Sequence, residues 1–135
     1  MTNVSVLIVD KNLKTPGVLA NTAFVLGLTA GRLLPDETFG PDVVDGDGAR
    51  HTYLTNIAHF VREAGQSKLR SLRAGFAELP EVRVVDYTED AAPSTYETYA
   101  RDLGGHAGEE IVYRALYVYG PEEQVVPPTK NLSRL

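Results

Sequence analysis

The chain opens with a near-continuous apolar run, Val4-Ser5-Val6-Leu7-Ile8-Val9-Asp10, which passes through Asn12-Leu13-Lys14-Thr15-Pro16-Gly17 into an apolar helix from Val18 to Gly31. A strand without strict alternation belongs in the middle of a sheet, covered on both faces, and this commits the chain to a layered α/β arrangement. Pro16-Gly17 suits a first helical turn. The segment that follows, Val18, Leu19, Ala20, Ala23, Phe24, Val25, Leu26 and Leu28, is apolar almost all round and predicts a deeply buried helix. Pro35 and Gly40-Pro41 close it into a loop.

The later segments repeat the strand-and-helix theme. Asp42 to Tyr53 reads as two short extended pieces around Asp45-Gly46-Asp47-Gly48, since Asp-Gly supplies the positive φ of a tight turn. A calcium loop is the sharper reading of those aspartates, but the third acidic ligand and the bidentate glutamate are missing at the required offsets. A strand is expected over Leu54 to Val61. Ser67 then caps a helix carrying Leu69, Leu72, Phe76 and Leu79 on one face, and Pro80 stops it. Val82 to Val85 reads as a strand delivering Asp86-Tyr87-Thr88 to its end. Ser94 and Glu97 have capping-box spacing for a third helix, with Tyr96, Tyr99, Ala100 and Leu103 on its apolar face. Ile111 to Tyr119 is the last long strand, with Tyr113, Tyr117 and Tyr119 expected on one side. A helical turn over Glu122 to Val126 and a short tail end the chain.

This order predicts a single α/β domain over residues 1–135: three layers, α/β/α, around a mixed, mostly parallel sheet of about four strands plus a small hairpin. A chain of 135 residues can bury about two-thirds of its unfolded surface without staples. It has no cysteine, so disulfides, thiolate metal sites and a cysteine nucleophile are excluded, which fits a reducing compartment. The first residues lack a secretory pattern, and the apolar stretch Val18 to Leu28 is too short to span a membrane. The expectation is a cytoplasmic protein with no membrane partner. Eighteen acidic against 13 basic side chains, a net charge of -5, argue against a dedicated polyanion binder. Arg62, Lys68, Arg70 and Arg73 are the best local basic patch and read most simply as a solvated face.

The chemistry-bearing residues gather at two strand ends. Lys14 beside the free N–H groups near Gly17 would hold an anion or a developing oxyanion, because a helix start carries unpaired donors and partial positive charge. Asp86 would accept a proton from water, with Thr88 fixing the carboxylate, and Asn21 would bind an amide or carbonyl. Lys14, Asp86 and Thr88 are therefore the candidate catalytic residues, and Gly17 and Asn21 the candidate substrate contacts, converging where open α/β sheets place their ligands. The ordinary alternatives are a solvated lysine, a turn-forming aspartate and a satisfied amide. No nucleotide fingerprint is present, and His51, His59 and His106 lack metal-ligand spacing, so neither a cofactor nor a metal is expected.

Leu13-Lys14-Thr15-Pro16-Gly17-Val18-Leu19-Ala20-Asn21-Thr22-Ala23, the Asp42 to Thr52 hairpin, Asp86-Tyr87-Thr88, and Tyr117-Val118-Tyr119-Gly120-Pro121 with the Thr129 to Leu135 tail together resemble the family called domain of unknown function two-thousand. The resemblance covers nearly the whole chain. It implies a fold similar to type II peptidyl-tRNA hydrolase, with no general activity established for the family. Against the hydrolase pattern, Lys14 and Gly17 match, and Asp86 stands where the hydrolase aspartate does. Val18 and Thr22, however, replace a lysine and a glutamine, and the Gly-x-Thr-Gln segment is absent. Efficient binding or hydrolysis of peptidyl-tRNA is therefore not expected. The dimeric relatives imply a homodimer, formed through the exposed half of the hairpin or the Tyr99 face. Two functions remain open: a hydrolase or transferase acting on an amide or ester of a small anionic substrate, and a non-catalytic ligand-binding or dimerisation module.

Overall fold

A computed structural model describes residues 2–92 and 95–135. Its centre is strand β1 (Asn3–Asp10), which the apolar run forms as expected. Helix α1 (Pro16–Leu33) follows, then a hairpin of β2 (Val43–Val44) and β3 (Arg50–His51), strand β4 (Ala58–Ala64) and helix α2 (Gln66–Ala77). Strand β5 (Arg83–Thr88), helix α3 (Tyr96–Gly104), strand β6 (Tyr113–Pro121), helix α4 (Glu122–Thr129) and strand β7 (Ser133–Arg134) complete the chain. None of the helices among the described residues is long and apolar enough to cross a membrane.

The sheet has five strands in the order β5-β6-β1-β4-β7. The α/β class stands, while the expectation of a mostly parallel sheet of about four strands is corrected: only β1 and β4 pair in parallel, and every other pairing in the sheet is antiparallel. The reason lies in α3. A parallel connection needs a helix that crosses a sheet face, as α1 does between β1 and β4. Helix α3 buries none of its residues, so β5 returns directly into β6 as an antiparallel neighbour with α3 as an excursion between them. The fifth strand is the tail, whose Ser133 and Arg134 pair with Glu63 and Arg62.

Two apolar layers flank the sheet. Val4, Val6 and Ile8 of β1 pack with Leu116 and Val118 of β6 against Leu69, Leu72 and Phe76 of α2 and Val125 of α4. On the other face Val9, Ala115, Tyr117 and Tyr119 pack beneath Leu26 and Ala30 of α1. The expected all-round burial of α1 is corrected: its fully buried positions are Thr22, Leu26 and Ala30, four residues apart, whereas Phe24 and Leu28 are 65% and 64% exposed. Only one side of α1 meets the sheet.

Several local expectations shift for identifiable reasons. The Asp42 to Tyr53 hairpin forms, with Gly48 at φ +84° and the Asp45 carboxylate accepting from the N–H groups of Asp47 and Ala49. The strand expected over Leu54 to Val61 begins at Ala58. Helix α2 starts at Gln66 with Gly65, not Ser67, at its cap. Gln66 explains the shift: its side chain donates to the carbonyl of Tyr113 at 2.6 Å and accepts from that residue's N–H at 2.9 Å, clamping the helix start to β6. The expected cap Ser94 lies outside the described residues, and the Thr95 hydroxyl accepts from the N–H of Thr98 as N-cap of α3. Tyr113 does not share a face with Tyr117 and Tyr119. A bulge between Tyr87 and Thr88 pairs Tyr87 with Ala115 but Thr88 with Tyr113, and the extra residue on β6 turns Tyr113 to the α2 side.

Close packing at the end of β6 generates a stability prediction. A Cβ on Gly120 would lie 3.0 Å from Val82 Cγ2 and 3.2 Å from the Glu81 carbonyl oxygen. Gly120→Ala is expected to destabilise the fold by about 1–3 kcal/mol, read as a lower urea midpoint at unchanged slope. An unchanged midpoint would contradict the packing.

Candidate functional site

The parallel register of β1 and β4 sets Ser5 directly opposite His59, and the antiparallel register of β1 and β6 sets Ser5 opposite Tyr119, with Tyr117 diagonal to it. Residues in register share a sheet face, so Ser5, His59, Tyr117 and Tyr119 all stand on the α1 side. Ser5 interrupts an otherwise apolar inner strand and is 2% exposed. A buried hydroxyl must find a partner. The Ser5 hydroxyl is hydrogen-bonded to Nδ1 of His59, and Nε2 of the same ring is hydrogen-bonded to Thr55 Oγ1 at 2.5 Å.

The result is a chain of hydroxyl, imidazole and hydroxyl. A neutral imidazole offers one donor and one acceptor. The tautomer that carries its proton on Nε2 donates to Thr55 and accepts from Ser5. Partial burial holds the His59 pKa below its ordinary value of 6.5, which keeps the ring neutral at pH 7.

Tyr117 completes the group. It is 8% exposed, and its phenol oxygen makes no well-formed hydrogen bond among the described residues, although Ser5 is close enough to act on its ionisation. Burial raises its pKa above the ordinary 10.0, with a smaller contribution from Tyr119, while Ser5 acts in the opposite sense. The phenol therefore stays protonated, with the Ser5 hydroxyl within its reach. Next to it, the Tyr119 hydroxyl accepts from the amide of Asn3 at 2.9 Å.

These groups line an open groove of about 210 Å³ between the sheet and α1, together with Leu7, Ala23, Leu26, Gly27, Phe60 and Val61, of which Gly27 and Val61, like His59, are exposed. His59 reaches solvent at one side and Ser5 forms part of the floor. A hydroxyl held by an imidazole that is itself oriented by a third group is the arrangement of an activated nucleophile. Ser5 and His59 were not legible as a pair because 54 positions separate them. The available signal was the serine inside the apolar run of β1, whereas His59 stands in a strand that also carries Arg62 and Glu63.

The residues singled out from sequence fall into two separate groups. Lys14, Gly17 and Asn21 stand together at the start of α1, all exposed, and the Lys14 ammonium lies 3.8 Å from the Glu63 carboxylate of β4. Asp86 lies on the edge strand β5, where its carboxylate accepts from Nε of Arg73 on α2 at 3.0 Å. Strands β1, β4 and β5 do run in one direction, so their following loops leave the same sheet edge. Yet Glu63 is in register with Val9 on the α1 face, whereas Asp86 faces α2 from a strand three spacings away, about 14 Å. Nor does Thr88 bond Asp86: it is 1% exposed and its hydroxyl has no partner among the described residues. The three histidines are likewise dispersed, with His51 on Asp45 and His106 on Asp90.

The model of the family described as protein of unknown function DUF2000 matches residues 4–135. The chain belongs to that family. Among solved structures, it is similar to a protein of unknown function from Agrobacterium tumefaciens strain C58, with a TM-score of 0.81 at 17% identity over 100% of this chain and 98% of that one. That likeness shows a shared fold. No curated protein matches this DUF2000 chain.

The depressed His59 pKa carries a pH dependence. With the folded value below the unfolded one, its contribution to stability is complete above about pH 6.5 and is lost as pH falls through the folded value. A proton NMR titration is expected to place His59 below about 6.5 and below its value in the unfolded chain. A midpoint at or above that value would show a ring less shielded from water.

Proposed function

We propose that this protein is an acyl-transfer enzyme, a hydrolase or transferase of an ester or amide, with Ser5 as nucleophile and His59 as base. The observation that carries the reading is the Ser5–His59–Thr55 hydrogen-bonded chain on the wall of an open groove. In the first step the Ser5 oxygen bonds to the substrate carbonyl carbon while its proton passes to His59 Nδ1. The carbonyl oxygen takes the negative charge, and the Tyr117 O–H is the donor placed to receive it. Collapse of the intermediate breaks the bond to the leaving group, which takes the proton from Nδ1, and an acyl-serine remains. Water, or an acceptor alcohol or amine, then attacks with His59 again as base.

Thr55 has a positioning role in this scheme, accepting Nε2–H and holding the ring in the productive tautomer. A neutral hydroxyl orients the ring but does not stabilise imidazolium as a carboxylate would, so turnover slower than that of a carboxylate triad is expected. The anionic substrate inferred from Lys14 gives way to a neutral one. Lys14 lies against Glu63 beyond the far end of β1, and Ser5 and Asp10 alone are about 17 Å apart along the strand. A cytoplasmic setting remains part of the reading, supported by the cysteine-free composition.

The test is hydrolysis of p-nitrophenyl butyrate. Ser5→Ala and His59→Ala are each expected to lower kcat/KM by about 100-fold or more, and Tyr117→Phe to act mainly on kcat. Activity should rise with pH through a single ionisation below about 6.5, the deprotonation of His59. A Ser5→Ala variant as active as the parent would overturn the assignment.

Pairing of two copies is supported by a different observation. Phe24 and Leu28 lie one turn apart on the outer side of α1, both mostly exposed, in a segment with no charged residue from Thr15 to Gly31. A two-fold contact would bury this face against itself. Light scattering is expected to give twice the chain mass at micromolar concentration and the single mass for Phe24→Glu; a monomeric parent protein would remove the proposal.

A further inference from the structure

Three hydroxyl groups and one imidazole stand in a row on the α1 face of the sheet, and the direction in which their protons point decides whether Ser5 can react. Tyr117 is diagonal to Ser5 in the register of β1 and β6, Ser5 is opposite His59 in the register of β1 and β4, and all three line the same groove. Thr55 ends the row on Nε2 of the ring. Each member has one proton to place along the row, so two arrangements are complete. In one, Tyr117 donates to Ser5, Ser5 donates to Nδ1 of His59, and Nε2–H donates to Thr55. In the other every bond is reversed, so that Nδ1–H points at Ser5 and the Ser5 proton points at the phenol. Only the first leaves His59 a base toward Ser5.

The two ends of the row are not equivalent. Thr55 carries an alkyl hydroxyl, which donates and accepts alike. Tyr117 carries a phenol, whose ring draws on the oxygen lone pair and makes it a better donor and a poorer acceptor than an alkyl hydroxyl. The phenol is also cut off from most water, since Tyr117 is 8% exposed. Its neighbour Tyr119 already accepts from the Asn3 amide at 2.9 Å, and Leu7 and Leu26 beside it offer no side-chain acceptor. The Ser5 oxygen is the acceptor within reach. In a row of hydrogen bonds each polarises the next, so a preference at one end is passed to the other.

We infer that Tyr117 sets the direction of this row: its phenol donates to Ser5 Oγ, which turns the Ser5 proton onto His59 Nδ1 and holds the ring in its Nε2–H tautomer. Toward His59 it is a positioning residue that acts through Ser5. When Oγ bonds to the substrate carbonyl carbon and its proton passes to Nδ1, the carbonyl oxygen takes the charge and the phenol hydrogen bond moves from Oγ to that oxygen. One donor thus serves before the attack and during it. This deepens the acyl-transfer reading and rests on it for the substrate, whereas the direction of the row is a property of the free protein.

The experiment is nitrogen NMR of the His59 ring in the full chain at about pH 8, above the ionisation of that ring. It compares the parent, Tyr117→Phe, Ser5→Ala and the double variant. The parent is expected to hold the Nε2–H tautomer predominantly, and Tyr117→Phe to lower the ratio of Nε2–H to Nδ1–H by at least about threefold, the loss of one hydrogen bond's bias. In the Ser5→Ala background Tyr117→Phe should leave the ratio unchanged, because the link is gone; a mere packing effect of the ring would appear in both backgrounds. A parent ring mainly in the Nδ1–H form, an unchanged ratio in Tyr117→Phe, or the same shift without Ser5 would each overturn the inference, and the first of these needs no variant. A tautomer that responds as expected, combined with p-nitrophenyl butyrate hydrolysis that ignores Ser5→Ala, would leave the row standing and remove the nucleophile. The two failures are thus separable.

Discussion

Strand β1 is hydrogen-bonded along both edges, in parallel to β4 and antiparallel to β6, and the rest of the molecule is arranged by those two registers. They place Val4, Val6 and Ile8 toward α2 and α4, and Ser5, Leu7 and Val9 toward α1. A slip of one residue would exchange the two sets and bring Ser5 into the interior beneath α2. The same registers bring His59 and Tyr119 to either side of Ser5, so packing and site depend on one alignment. Ser5 is tolerated in an apolar strand because His59 takes up its hydroxyl, a buried polar group being costly only when left unpaired.

Helix α1 shapes the site as much as the sheet does. Its contact with the sheet is a narrow stripe, Thr22, Leu26 and Ala30, and the small residues Ala23 and Gly27 beside that stripe leave room over β1 and β4. A helix wide in contact and rich in large side chains would fill this space. The apolar residues that composition assigns to the core, Phe24 and Leu28, instead face outward. On the opposite face, α2 is held by its Leu69, Leu72 and Phe76 stripe, by the Gln66 clamp on Tyr113, by Arg70 on the Ile111 carbonyl and by Arg73 on Asp86. Two members of the expected basic patch are thus structural ties.

Family membership and the shared fold of the Agrobacterium tumefaciens protein agree with this architecture and say nothing of chemistry, since neither comes with an activity. Function resides in the site rather than in the fold. The arrangement of hydroxyl, imidazole and buried phenol at an apolar groove is more specific than the exposed Lys14 at the start of α1, where the cation already faces a carboxylate.

The amino-acid sequence by itself determined the local elements. The apolar run of β1, the glycine turn of the hairpin, the three-four spacing of Leu69, Leu72 and Phe76, and the apolar β6 each follow from short-range periodicity and turn chemistry. The family was legible for the same reason, in motifs spread over the length of the chain. Strand direction, register and helix facing were decided only in the tertiary structure. Whether α3 crosses the sheet or leaves it depends on what the whole helix can bury, and the bulge that turns Tyr113 over depends on two strands meeting. Ser5 and His59 become neighbours because β1 and β4 align through a helix and a hairpin between them, a long-range pairing that no local pattern encodes.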